Sequence, residues 1–229
     1  MQVWKFRKQT YKYLGVDLVN GLNFKKLKGR IVADGRKRMM LVWAMGMRRG
    51  ELPVEHCCRV WNALVRPVVE YGAVIWGDVQ WEEAEVVQRE MAKMILRCSS
   101  LMANEVVLGE LGWWTLKARR DLLRLKFWGK IVCSSSRLVK QVYAHSRARC
   151  DAGQKSRWCK YTHTLLTELG MEEIWQQGTV DDEKAWDKAL REKIHMREER
   201  ERLERMQTKQ KLCTYITLKH ELKFEPYLT

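Results

Sequence analysis

Apolar positions recur at spacings of three and four residues through most of the chain, which predicts amphipathic helices. One such stripe extends from Val54 to Ile75 and includes Trp61 and Val65. Pro67 interrupts the stripe, because proline has no N–H to donate and its ring crowds the carbonyl one turn earlier. The pattern therefore predicts a buried helix from about Pro53 that bends or divides at Pro67.

The N-terminal residues show a different pattern. Alternation at Val3–Phe6 and again at Tyr11–Leu14 predicts two strands, with a turn at Lys8–Thr10 and an end at Gly15. A hairpin of only two strands is marginally stable in water. We therefore expect that it belongs to a larger sheet and that the chain begins partway through a larger protein.

Further helices are predicted along the rest of the chain. Asn104 is expected to cap a short helix that Gly112 ends, and Thr115 is expected to cap a longer, mostly apolar helix. Ser134–Ser136 ends that helix and marks a subdomain boundary. The other predicted helices cover residues 25–49, 81–97, 137–149, 156–169 and 181–212.

The fold class that follows is mostly α, a helical bundle with a short N-terminal β-hairpin. The predicted divisions are a hairpin at residues 1–20, a helical domain at 21–133 and a helical C-terminal region at 134–229. Residues 181–206 hold 8 basic and 9 acidic side chains, many with i,i+4 spacing. This charge pattern predicts a solvated helix with surface ion pairs, and a coiled-coil site is the alternative.

Composition limits the class of protein. The 229 residues are 46% hydrophobic with 11 Trp and 3 Pro, which is typical of a globular chain. No apolar run approaches the roughly 18 residues of a membrane span, and no secretory signal is evident. The expectation is a soluble intracellular protein, cytoplasmic or nuclear, and its 7 scattered cysteines are expected to be reduced thiols.

Positive charge is concentrated near the N-terminus. The net charge of the chain is +15, and residues 1–50 hold 13 Lys or Arg against Asp17 and Asp34, a net charge of +11. Such a block indicates a polyanionic partner, most often nucleic acid, and a generally basic solvated surface is the alternative. The candidate nucleic-acid-binding residues are Lys25, Lys26, Lys28, Arg30, Arg36, Lys37, Arg38, Arg48 and Arg49.

The sequence signal for a zinc site is weaker than the signal for nucleic-acid binding. His145, Cys150, Cys159 and His163 have the residue types of zinc ligands, but the close Cys pair of most zinc sites is missing. The spacing favours ordinary thiols and imidazoles, so no metal and no catalytic residue is predicted.

Four stretches, in order along the chain, resemble reverse transcriptases of non-long-terminal-repeat (LINE-type) retrotransposons. They are Tyr13–Val16, Arg66–Gly77, Gly109–Gly112 and Glu225–Leu228. The second resembles the signature that follows the polymerase palm in that family. The residues that carry the resemblance are Tyr13, Leu14, Gly15, Pro67, Tyr71, Gly72, Trp76, Glu110, Leu111 and Gly112.

The resemblance implies that the intact protein performs RNA-directed DNA synthesis with Mg²⁺. The family's catalytic aspartate pair precedes the Tyr-Leu-Gly segment, and the only adjacent aspartates here, Asp181 and Asp182, lie far downstream. The expected protein is therefore a non-catalytic fragment without a cofactor of its own. It would hold the end of the palm and a thumb whose basic helix contacts an RNA or RNA–DNA template–primer.

Two alternatives stay open. The chain could be a helical protein-interaction module derived from such an element, or a remnant without function. The missing palm and fingers are a further expected partner.

Overall fold

The computed structural model describes residues 10–13, 15–19, 24–77, 81–154 and 156–228. These residues are mostly helical, which confirms the predicted fold class, and they include a short N-terminal β-hairpin. The strands are β1 (Thr10–Tyr13) and β2 (Val16–Val19). The helices are α1 (Lys25–Ala44), α2 (Val54–Val60), α3 (Arg66–Val69), α4 (Ala73–Trp76), α5 (Glu82–Leu96), α6 (Asn104–Glu110), α7 (Leu116–Val132), α8 (Arg137–Asp151), α9 (Arg157–Glu168), α10 (Glu172–Gln177), α11 (Glu183–Gln207) and α12 (Cys213–Leu218).

The chain forms two compact units, residues 1–72 and residues 73–228. This division differs from the predicted boundaries at 20/21 and 133/134. The hairpin belongs with α1, because the Arg30 guanidinium donates to the carbonyl of Gly15. The Ser134–Ser136 segment only turns the chain between α7 and α8, since both sides of it contribute to one hydrophobic core.

The described hairpin pairs β1 with a strand that the sequence analysis does not predict. β1 and β2 are antiparallel, with Thr10 opposite Val19 and Tyr13 opposite Val16. The predicted strand at 3–6 and the motif residue Leu14 lie outside the described residues, and Thr10, predicted in a turn, lies in β1. Gly15 has a φ of +78°, which suits the tight turn between the strands.

The helix around Pro67 is divided, as predicted. α2 continues into a π-helical turn at Trp61–Val65 and then into α3, where Pro67 occupies the first turn. The wider π-helical turn accommodates the absence of an N–H donor at the proline. Trp61 is buried in unit 1 and Trp76 in unit 2, whereas Ile75, predicted to face inward, is 45% exposed.

The start of the second unit largely follows the predicted helix boundaries. Thr115 accepts a hydrogen bond from the Ala118 N–H at 3.2 Å and caps α7. Gly112, with a φ of +62°, ends the turn that follows α6. The predicted cap at Asn104 is wrong: Ala103 is the N-cap residue and Asn104 already lies in the helix.

Helices α7, α9, α10 and α11 surround a hydrophobic core within the second unit. The Trp128 ring lies between Trp175 and Trp186, with centroid distances of 6.0 and 5.6 Å. α11 carries predicted i,i+4 ion pairs, such as Lys188–Glu192 and Arg200–Glu204, but it is not solvated on all sides, because it buries a stripe that includes Leu190 and Ile194. No described helix combines the length and the apolar character that crossing a membrane requires.

Candidate nucleic-acid interface

Helix α1 has one apolar face and one polar face. Its buried residues are Leu27, Ile31, Gly35, Met39 and Val42, at spacings of three and four residues. This spacing places them on one side of the helix and fixes the direction in which the remaining side chains point.

The opposite face of α1 is basic. Lys25, Lys26, Arg36 and Lys37 are exposed there, and the only acidic residue of the helix, Asp34, is half-buried at its edge. From Lys26 to Lys37 the helix rises about 16 Å, long enough to lie beside several phosphates of one strand. This arrangement suits contact with a polyanion without base recognition.

The structure separates the other predicted residues from this face. Arg30 is half-buried and donates to the hairpin carbonyl of Gly15, and Lys28 is half-buried at the margin. Arg38 is exposed but its Nη1 donates to the Leu64 carbonyl at 3.4 Å. The nine candidates therefore do not share one face.

Arg48 and Arg49 lie beyond the helix. α1 ends at Ala44, and the two arginines are exposed in a 3₁₀ turn at Met47–Arg49 between two glycines with positive φ. The Arg49 guanidinium lies 4.0 Å from the Glu51 carboxylate, and both groups are well exposed. A surface pair of this kind is weak, so Arg49 can exchange it for a phosphate at little cost.

The first turn of α1 has an unusual electrostatic environment. It holds three lysines and no acidic residue, and Phe24, at the N-cap, has no side-chain acceptor. Lysines at this end are unfavourable to the helix dipole, which is positive there. A phosphate oxygen placed beside this turn would accept hydrogen bonds from backbone N–H groups and would also be attracted by the lysine ammonium groups.

The motif residues of the first unit have a structural role. A Cβ atom at Gly15 would lie 3.4 Å from the Tyr71 ring, so the hairpin turn and Tyr71 are in close contact. Gly72 follows with a φ of +68°. The first two motif stretches thus meet in unit 1.

The motif residues of the second unit also meet. The Tyr215 hydroxyl donates to the Glu110 carboxylate at 2.7 Å, Leu111 forms a β-bridge with Phe224, and the Glu225 N–H donates to the Glu110 carbonyl at 3.0 Å. A side chain at Gly112 would collide with the backbone of Lys223. The third and fourth motif stretches therefore form one structural contact between distant parts of the chain.

The sequence prediction missed a buried charged cluster centred on Asp121. This carboxylate is fully buried and accepts from Arg197 at 2.5 Å, from the Tyr161 hydroxyl at 2.9 Å and from Lys117 at 3.1 Å. The signal was present, because Asp121 lies in a helix whose apolar residues cover more than half of the circumference. A charge on such a helix is forced inward and has to be paired.

Charge also fills the neighbouring cleft of the second unit. This cleft, of about 400 Å³, lies where α5, α6 and α7 begin, beside α11, and is lined by five acidic and five basic side chains. Burial raises the pKa of the Glu85 carboxyl, which accepts the Leu116 and Lys117 N–H groups at the start of α7. Because its charges are balanced, the cleft does not have the electrostatic character of the α1 face.

The structure does not bring the four possible zinc ligands together as one metal site. Cys159 is fully buried beside the Ser146 hydroxyl, His145 is exposed, and His163 stacks on Trp175 and contacts Glu172 at 3.1 Å. Within the described part of the chain, no group of three or more His, Cys, Asp or Glu side chains could hold a metal ion.

Comparison with known proteins assigns no family to the chain. No protein-family model, curated protein or solved structure matches it. The resemblance to LINE-type reverse transcriptases consequently rests on the four motif stretches alone, and the function is inferred from the surface of the molecule.

Proposed function

We propose that this chain is a non-catalytic, thumb-like fragment of a LINE-type reverse transcriptase that binds an RNA–DNA template–primer through α1. The observation that carries the proposal is the exposed face of α1 formed by Lys25, Lys26, Arg36 and Lys37. Lysine and arginine there would neutralise phosphates and would not distinguish sequences. Mg²⁺ would be needed only by the intact polymerase.

The non-catalytic part of the proposal is supported by the positions of the aspartates. Asp182 accepts the Lys184 and Ala185 N–H groups at 3.2 and 2.9 Å and caps α11. Its carboxylate therefore stabilises a helix terminus. The catalytic aspartates would have to come from the missing palm, which is the expected partner chain.

The test measures binding of the full chain to a fluorescent RNA–DNA hybrid by anisotropy across a salt series. Wild-type affinity is expected to fall steeply with salt. The variant K26Q/R36Q/K37Q is expected to bind more weakly and to reduce the slope of log K against log[salt] by up to about three. The reduction follows from the loss of three phosphate contacts.

The matched control is K184Q/K188Q/K193Q, which removes the same charge from exposed lysines of α11. If the control and the α1 variant weaken binding equally, the affinity reflects net charge alone and the proposed interface is wrong. Circular dichroism of each variant checks that helix content is unchanged.

A protein-interaction role is the second candidate, and a specific feature favours it. Met40, Leu41 and Met45, near the end of α1, are each more than half exposed. Exposed methionine and leucine together are typical of protein-binding surfaces. A well-folded chain that fails to bind the hybrid at low salt would support this role over the first.

A further inference from the structure

The second compact unit has its own localised positive charge. Residues 73–228 hold 28 Lys or Arg against 23 Asp or Glu. Within them, residues 137–160 hold seven Lys or Arg against Asp151 alone. The whole excess positive charge of this unit therefore lies in α8 and the beginning of α9.

Packing fixes which side of α8 faces the protein. The half-buried residues Val139, Tyr143, Ser146 and Cys150 lie on one side of the helix. The Tyr143 hydroxyl accepts from the Trp128 indole at 2.8 Å, and the Ser146 hydroxyl lies 3.1 Å from the Cys159 thiol. These contacts prevent α8 from rotating about its axis.

The opposite side of α8 presents a ridge of polar donors. Arg137, Gln141, His145 and Arg149 follow each other at intervals of four residues, and all four are exposed. The ridge extends about 18 Å along the helix, and exposed Lys140 lies beside it. Residues at this interval form one row on the helix surface.

The single acidic residue of the segment does not neutralise the ridge. Asp151 lies 3.9 Å from Arg147, which is outside the ridge. Arg147 also donates to the Gln176 carbonyl at 3.2 Å and lies over the Trp175 ring at 5.1 Å. The structural arginine is thus paired, and the ridge keeps its positive charge toward solvent.

We propose that the α8 ridge is a second phosphate-binding surface, which contacts the backbone of the same class of nucleic acid. The inference rests on the proposed function for the identity of the partner and extends it to the second unit. Charge complementarity favours a polyanion, and the side chains between the arginines, Gln141 and His145, are hydrogen-bonding groups suited to phosphate and sugar.

A nucleic acid suits the ridge better than a lipid surface. A helix that binds in a membrane interface buries a wide apolar face in the lipid. Among the apolar residues of α8, the large exposed side chains are Leu138 and Val142, and the exposed Ala144 and Ala148 add only methyl groups. Val139, Tyr143 and Cys150 are half-buried and face the protein. The ridge would therefore have little to insert.

The test uses the full chain and the hybrid assay, with the variant R137Q/K140Q/R149Q. Its affinity is expected to fall at least about tenfold at low salt, and its salt slope is expected to decrease by up to about three. Combining the α8 and α1 substitutions should lower the slope further than either set alone. K184Q/K188Q/K193Q again serves as the control of equal charge.

The outcomes distinguish the two proposals. If the α8 variant binds the hybrid as tightly as the control, the inference on α8 is wrong and the proposal for α1 is unaffected. If instead the α1 variant alone binds as tightly as the control, the proposed function is wrong. Vesicles of phosphatidylcholine with phosphatidylserine supply the other polyanion. If wild type binds them and the α8 variant loses only that binding, the ridge is a lipid surface and the inference is wrong.

Discussion

Asp121 shows how a single buried charge affects the stability of the second unit. It is fully buried and paired with Arg197, which is itself only 6% exposed. Loss of one member of a buried pair leaves the other charge uncompensated in a medium of low polarity. Glu168 and Glu201, at 3.7 and 3.6 Å from Arg197, are more exposed and replace little of that interaction.

Asp121→Asn is therefore expected to lower the free energy of unfolding by about 3 kcal/mol or more, measured by urea denaturation. Asp187→Asn is the matched control, because Asp187 pairs with Lys126 and Arg191 at a half-exposed position. The control is expected to cost less than about 1 kcal/mol. Similar losses in both variants would contradict the importance assigned to burial.

Glu198 predicts a pH dependence. Burial raises the pKa of this carboxyl above its ordinary value of 4.5, although Arg205 and the Thr115 hydroxyl lower it. The folded state consequently binds more protons than the unfolded chain, so stability from this group decreases as the pH rises from 4.5 through the raised pKa.

Glu198→Gln removes that titration. The stability of the variant relative to wild type is expected to increase between about pH 4.5 and pH 7, measured by urea denaturation at several pH values. A difference that stays constant with pH would show that Glu198 does not titrate abnormally. Glu192→Gln, at an exposed position of α11, provides the comparison.

At the scale of elements, Gly112 lies where the turn after α6 packs against the C-terminal segment. Its φ is +62°, and a Cβ atom there would lie 2.6 Å from the Lys223 carbonyl carbon. Gly112→Ala is expected to destabilise the protein by more than about 2 kcal/mol, since both the backbone strain and the collision have to be relieved.

Gly170→Ala is the control for this prediction. Gly170 has a φ of +66° but no atom within 4 Å of a Cβ position. Its substitution carries only the backbone strain, about 1 to 2 kcal/mol. The excess loss in Gly112→Ala, measured by thermal or urea unfolding, reports the contact between α6 and residues 223–225.

How far the sequence predicts these elements depends on the kind of signal. Local signals, such as the Thr115 cap and the Pro67 interruption, act within one helical turn, and the predictions made from them are confirmed. The burial of α11 could not be predicted from apolar spacing, because Arg197, Glu198 and Arg202 occupy inward positions where apolar residues are expected. The strand β2 (Val16–Val19) was not predicted, because the alternation at Tyr11–Leu14 gives no indication of a strand beyond Gly15.

The candidate interface was predictable in composition but not in geometry. The sequence correctly placed a basic helix near residue 25, whereas the exclusion of Arg30 and Arg38 from its basic face needed the positions of Gly15 and Leu64. The α8 ridge was missed because its charge is diluted in a unit with nearly equal numbers of acidic and basic residues.

Across the whole molecule, the two units differ in how charge is distributed. Residues 1–72 hold 15 Lys or Arg against five Asp or Glu, whereas the longer second unit is close to balanced outside residues 137–160. If both basic surfaces contact one polyanion, as proposed, binding at either surface raises the effective concentration of the polyanion at the other. Binding would then be stronger than either surface provides alone.

The contact between Glu110 and Tyr215 has a consequence for biosynthesis. The two residues are 105 positions apart, so α6 leaves the ribosome long before its partner segment has been translated. Until then, the end of α6 and the apolar side chains around it lack that partner, and chaperones and proteases compete for them. Synonymous changes that slow translation between these positions would therefore lower the yield of folded protein without altering a single amino acid.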